Sequence, residues 1–322
     1  DRWRWDTAAT LAGAALGNRP VPGPPLPGRS GGRRYPRPMA DTATPQGIEL
    51  FSEAFDPAPG WSPRDPAVLL VSGADSHCTR WTPELIGPLV DHGFRVVRYD
   101  HRDWGLSTKV SSDVGYTLDD LADDALAVLD EHGIDQAHVV GRSMGGMVAQ
   151  VLALDHPGRV NTLTLVSSTP GLGDDRLPSA ANWLVDRMAE RLFAPPPTTP
   201  QQRAAWVVEM DEMFAGTRYP VATGDRLRVA IDEVERYWYP ESGHGPAVNS
   251  SSSRLDRLGE VAVPTLVVHG TTDPVFPVEH ALALADGIPG SELWLVEGLG
   301  HEFPDGLVPD LLPRLLAHLR RA

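Results

Sequence analysis

From Gln46 onward, short apolar runs alternate with stretches whose apolar residues recur at helical spacing. The runs 48–55, 68–71, 95–99, 139–141, 162–166, 263–270 and 292–296 are short and bounded by Pro, Gly or polar residues, which predicts strands, most of them buried. Between them, 83–92, 118–131 and 144–155 read as helices. In the second of these, Leu118, Leu121, Ala125, Leu126 and Leu129 share one face. Strand–helix–strand alternation implies an α/β fold, with a mostly parallel twisted sheet, right-handed crossovers and flanking helices. The alternation stops over 171–258. There Trp183, Phe193, Trp206, Phe214, Tyr237, Trp238 and Tyr239 lie among helical periods broken by Pro195-Pro196-Pro197. This predicts a helical lid that divides the core into 46–170 and 259–322, a few of its aromatic residues roofing an apolar pocket. Residues 1–45 hold eight Pro, six Gly and seven Arg without a sustained period, so a disordered, non-functional leader is expected there. Met39 reads as the natural start.

One junction carries chemistry. The run ending at Val140 continues as Gly141-Arg142-Ser143-Met144-Gly145-Gly146 and opens a helical pattern. A G-x-S-x-G placed between strand and helix is the pattern of a nucleophile elbow. The turn is so sharp that residues two before and two after the serine must lack side chains, and Gly141 and Gly145 stand there. Two partners follow in the order serine, acid, histidine. Asp273 comes just past the run 263–270, at the sheet edge where ligands bind in open α/β folds. His301 follows the run 292–296 on a loop free to reach both. His301 would take the Ser143 proton, and Asp273 would fix its tautomer and stabilise the imidazolium. The alternative acid position, after the strand 162–166, has Ser167-Ser168-Thr169-Pro170 and no carboxylate before Asp174, which favours Asp273. The strand 68–71 ends in Ser72-Gly73-Ala74-Asp75, and the expected oxyanion hole is the pair of backbone N–H groups of Ala74 and Met144.

These motifs resemble the α/β-hydrolase superfamily from Gln46 to the C-terminus, and within it the actinobacterial aclacinomycin-methylesterase type. The narrower likeness rests on Val97-Arg98-Tyr99-Asp100-His101-Arg102-Asp103-Trp104-Gly105-Leu106-Ser107, Asp135-Gln136-Ala137-His138-Val139-Val140-Gly141, Ala153-Leu154-Asp155-His156 and Val263-Pro264-Thr265-Leu266-Val267. The resemblance implies a serine esterase that cleaves carboxylic esters through a Ser143 acyl-enzyme, with a methyl ester of a polyketide or other bulky acid as substrate. The chain departs from its relatives at Ser72-Gly73, where many have His-Gly, at Arg142, often Leu or His, and at Trp104-Gly105-Leu106. These changes bear on substrate identity. Alternatives on the same triad are cofactor-free perhydrolysis and carbon–carbon bond hydrolysis. A ligand sensor has no need of all three triad residues, and Ser143 excludes an aspartate-nucleophile dehalogenase or epoxide hydrolase.

Composition narrows the partners. A net charge of −15 disfavours nucleic acid and anionic membranes, and no apolar run approaches the length of a membrane span. The single cysteine, Cys78, precludes an internal disulfide framework and favours a cytoplasmic setting. The expected partner is a small-molecule ester, with a homo-oligomer left open. No phosphate loop or metal-ligand cluster occurs, so no cofactor and no metal are expected. Among other polar residues, Asp100 and Arg102 read as a network tying loops, His269 as a satisfied core histidine, and His244 as a secondary candidate for the pocket.

Overall fold

The computed structural model describes residues 39–321 apart from 45–46, 58–60, 63–64 and 111–113. Eight strands form one sheet: β1 (Met39–Ala43), β2 (Glu49–Phe55), β3 (Ala67–Val71), β4 (Arg95–Tyr99), β5 (Ala137–Arg142), β6 (Val160–Val166), β7 (Thr265–Gly270) and β8 (Glu292–Val296). Their order is β1-β2-β4-β3-β5-β6-β7-β8; the β1–β2 and β2–β4 pairs are antiparallel, and the remaining five pairs are parallel. The leader expected over 1–45 lies outside the described residues as far as 38. Its last part is corrected: Met39–Ala43 is a strand, and Met39 pairs with Ser52 and Thr42 with Leu50. A polar segment with no apolar period becomes a strand here because β2 offers it an unpaired edge.

The parallel strands read as continuous apolar runs because the sheet is covered on both faces. Successive side chains point opposite ways. Leu69, Val71, Val139, Leu163, Leu165 and Val267 therefore enter one core with α2 (Leu118–Glu131), α3 (Met144–Asp155) and α8 (Val278–Gly287). Val68, Leu70, Val140, Val166, Leu266 and Val268 enter the other with α1 (Pro83–Asp91) and α9 (Val308–Leu319). Helix α2 begins at a capping box, in which the Thr117 hydroxyl accepts from the Asp120 N–H and the Asp120 carboxylate accepts from the Thr117 N–H. Helix α3 is buried from Met144 through Ala153. That is the reason its sequence is apolar all round instead of along one stripe.

Between β6 and β7 lie α4 (Asn182–Phe193), α5 (Pro200–Phe214), α6 (Thr223–Arg236) and α7 (His244–Ser250). Helices α5 and α6 pack on each other, yet few apolar side chains of the four helices are buried: Leu184, Ala204, Ala230 and Ala247. The segment is tied to the core by charge instead. Arg80 grips Glu233 at 2.6 Å and Asp211 at 3.0 Å, Arg236 meets Asp100 at 2.6 Å, and Arg226 meets Glu302 at 2.8 Å. Among the described residues, no helix is long and apolar enough to cross a membrane.

Candidate active site

Strand β5 delivers Ser143 onto a turn that leads straight into α3. The serine sits at φ 54°, ψ −121°, a region that non-glycine residues rarely occupy. Neighbouring bonds hold it there: its N–H donates to the Val166 carbonyl at 2.9 Å, and the Ser168 hydroxyl donates to the Ser143 carbonyl at 2.9 Å. The two expected glycines are needed for space. A Cβ on Gly141 would stand 2.2 Å from the Gly145 carbonyl oxygen, and one on Gly145 would stand 2.2 Å from that of Val71.

The three residues read from the sequence meet at this turn. His301 Nε2 lies 3.0 Å from Ser143 Oγ, and its Nδ1 lies 2.8 Å from Asp273 Oδ2. The other carboxylate oxygen, Oδ1, accepts the N–H groups of Val275 at 2.8 Å and Phe276 at 2.9 Å. Burial alone would raise the Asp273 carboxyl, but the His301 ring, His269 and the Phe276 N–H together hold it below the usual carboxylate range. An ionised Asp273 requires His301 to carry its proton on Nδ1, which leaves the Nε2 lone pair facing the serine hydroxyl. The imidazole is flanked by Phe214 and Phe276, each edge-on at 5.3 Å, and the backbone N–H of His301 donates to the Phe214 carbonyl at 2.8 Å. Such a set can take a proton from the serine, hold it during attack on a carbonyl, and return it to a leaving group.

The rival acid does not compete. Asp174 is engaged by Arg176 at 2.8 Å. His269 is a core histidine, as the sequence implied, but only half satisfied: its Nε2 lies 2.8 Å from the Phe276 carbonyl oxygen, its Nδ1 is buried without a partner, and burial keeps its pKa below the ordinary value. Asp100 accepts the N–H groups of Cys78 and Leu106 besides pairing with Arg236, and Arg102 holds Asp124 through two bonds of 2.7 Å. Asp100 thus ties loops together, and Arg102 ties its loop to α2. Met144 begins α3, so its N–H has no partner within the helix. Gly73 lies against the nucleophile, since a Cβ there would be 3.3 Å from Ser143 Cβ. Ala74 follows it in the same turn.

His244 stands elsewhere than the pocket. It is fully buried, with Nε2 2.9 Å from the Arg102 carbonyl oxygen and Nδ1 3.0 Å from the Asp75 N–H nitrogen. Asp75 is itself at φ 52°. A histidine of α7 thus grips the strained turn that carries Ala74.

Residues 66–305 match the family model described as alpha/beta hydrolase fold. The chain belongs to that family. Two relatives from Streptomyces are similar over nearly their whole length. Rhodomycin D methylesterase DauP of Streptomyces sp. (strain C5) is 31% identical over 85% of this chain and 96% of its own. Rhodomycin D methylesterase DnrP of Streptomyces peucetius is 32% identical over the same shares. Among solved structures, a bromoperoxidase from Bacillus anthracis superposes with a TM-score of 0.71 at 20% identity, covering 88% of this chain and 100% of that one. At that identity the likeness speaks for the fold.

The sequence did not reveal the surroundings of the nucleophile in this hydrolase. A cavity of about 10 Å³, room for roughly one water, is walled by Ser72, Gly73, Arg80, Trp81, Arg142 and Phe303. Its aromatic wall, Trp81 against Phe303 at 5.1 Å, comes from core loops rather than α4–α7. Phe214 was visible in the sequence only as one of several aromatic residues in 171–258. Its contact with His301 depends on where α5 ends.

Proposed function

We propose that this protein cleaves carboxylic esters through an acyl-enzyme on Ser143, the substrate being a methyl ester of a polyketide or other bulky acid. It is a carboxylic-ester hydrolase. The observation that carries the mechanism is the double reach of His301, 3.0 Å to Ser143 Oγ and 2.8 Å to Asp273 Oδ2. Ser143 Oγ attacks the ester carbonyl as its proton passes to His301 Nε2, and the resulting oxyanion lies between the Ala74 and Met144 N–H groups. His301 returns the proton to the departing alcohol. A water molecule then repeats the sequence on the acyl-enzyme, giving the free acid and restoring Ser143. The cycle needs no cofactor and no metal.

The likeness to the rhodomycin D methylesterases supports a methyl ester. The helices α4–α7 are a lid in this reading. They have few buried apolar side chains, as expected of an element of low local stability, and opening would exchange their ion pairs with the core for water. The absence of a spanning helix among the described residues and the lone buried Cys78 fit a cytoplasmic enzyme acting on a small molecule. p-Nitrophenyl esters of increasing acyl length, given to the wild type and to Ser143→Ala, test the proposal. The variant should lose at least about 10³-fold in kcat while keeping its fold. A variant with a tenth of the wild-type rate would overturn the assignment.

A further inference from the structure

Arg142 precedes the nucleophile and is unlike the other charged residues around the site. Its Nε is shut off from solvent and has no hydrogen-bond partner, while the side chain as a whole is half-buried and its terminal nitrogens are not closed off from water. The carboxylates that act on it across space are all held by other groups. Asp211 is held by Arg80 at 3.0 Å, Glu302 by Arg226 at 2.8 Å, and Asp273 by His301 at 2.8 Å. Arg80, the other cation on the cavity wall, is engaged with Glu233 and Asp211 through its Nε and both terminal nitrogens.

A guanidinium N–H closed off from water without an acceptor is costly, and an arginine cannot relieve the cost by losing its proton. Burial and the nearby Arg80 charge push Arg142 below its ordinary value, against the pull of Asp211, Glu302 and Asp273. The side chain lines the cavity beside the nucleophile. A Cβ on Gly73 would be 3.3 Å from Ser143 Cβ and 3.6 Å from Arg142 Nε, so both residues approach one face of that glycine.

We propose that Arg142 is an anion-binding subsite, and that the preferred substrate is an ester whose acid part carries a second, ionised carboxylate. This rests on the ester-hydrolase reading. With methanol as leaving group, the charged group belongs to the acid part, because the alcohol has nowhere to carry it. The planar fork of arginine takes a carboxylate through two parallel N–H bonds, a geometry a lysine cannot reproduce. Substrate binding then supplies the partner that the protein itself withholds.

Monomethyl and dimethyl esters of the same dicarboxylic acids, from malonate to adipate, provide matched charged and neutral substrates. The quantity to read is the ratio of kcat/KM for the charged over the neutral ester, which cancels general damage to the nucleophile turn. In the wild type, at least one chain length should favour the charged ester. Arg142→Leu should lower that ratio by about 10- to 100-fold, the range of a charge-assisted hydrogen-bonded pair, and Arg142→Lys should fall between. A ratio untouched by Arg142→Leu at every chain length overturns the proposal. Calorimetric binding of the half-ester to Ser143→Ala, with and without Arg142→Leu, reads the subsite without turnover. Binding that weakens in the double variant supports the subsite, and equal binding refutes it. A wild type inert toward every ester would sink the ester reading, and the calorimetric comparison would still decide the subsite.

Discussion

Replacing Asp273 by asparagine should stop the enzyme by turning His301 over, and the structure says which way the amide must point. Asp273 Oδ1 accepts two backbone N–H groups, from Val275 at 2.8 Å and Phe276 at 2.9 Å. An amide nitrogen there would face two donors, so the asparagine keeps its oxygen in that place. Its NH₂ then occupies the position of Oδ2, 2.8 Å from His301 Nδ1. A donor at that point requires Nδ1 to be the acceptor, which moves the imidazole proton to Nε2. Nε2 now donates to Ser143 Oγ across 3.0 Å and can no longer take its proton. A histidine in the wrong tautomer costs a serine hydrolase about 10⁴-fold in kcat, or about 5.5 kcal/mol of transition-state stabilisation. The two backbone bonds survive, so the melting temperature should move by only a few degrees. Steady-state hydrolysis of p-nitrophenyl acetate measures the rate, and nitrogen NMR of the imidazole reads the tautomer. An Asp273→Asn enzyme keeping more than a tenth of wild-type kcat, or showing Nε2 unprotonated, would refute this account.

Gly145→Ala should destabilise the fold by about 3 kcal/mol or more, since the new Cβ would meet the Val71 and Ser72 carbonyl oxygens at 2.2 and 2.5 Å, both backbone atoms; a wild-type melting curve would contradict the elbow argument. His244→Ala frees the Asp75 turn, so kcat for a small ester should fall about tenfold with KM little changed, and a change in KM alone would assign His244 to substrate binding. Burial holds His101 neutral down to about 3, and His132 and His138 down to about 4. The unfolded chain takes up these protons below about pH 6.5, so stability is full above that pH and falls toward acid, by up to about 4 kcal/mol per pH unit near pH 5. A melting temperature that stays flat between about pH 7.5 and 5 would show that these rings are not neutral in the folded state.

The core elements and the meeting of Ser143, Asp273 and His301 were legible in the sequence because each depends on local rules. Strands β4 and β8 and helices α2 and α3 begin and end where their period begins and ends. Gly141, Ser143 and Gly145 identify the elbow because a strand-to-helix turn that sharp excludes side chains two residues to either side. Asp273 and His301 could be chosen because an α/β fold places the ends of its parallel strands on one edge, so position after a strand already implies proximity. Strand β1 was not legible, since it draws its pairing from β2 and has no apolar period of its own. Nor was the grip of His244 on Asp75, which joins positions 169 residues apart. The isolation of Arg142 is of the same kind. The chain shows that a guanidinium stands before the nucleophile, but whether it is neutralised depends on which arginine each of Asp211, Glu233 and Glu302 meets in space. Periodicity and backbone sterics act over a few residues and can be read along the chain, whereas the pairing of buried charges is settled among all the groups that the fold brings together.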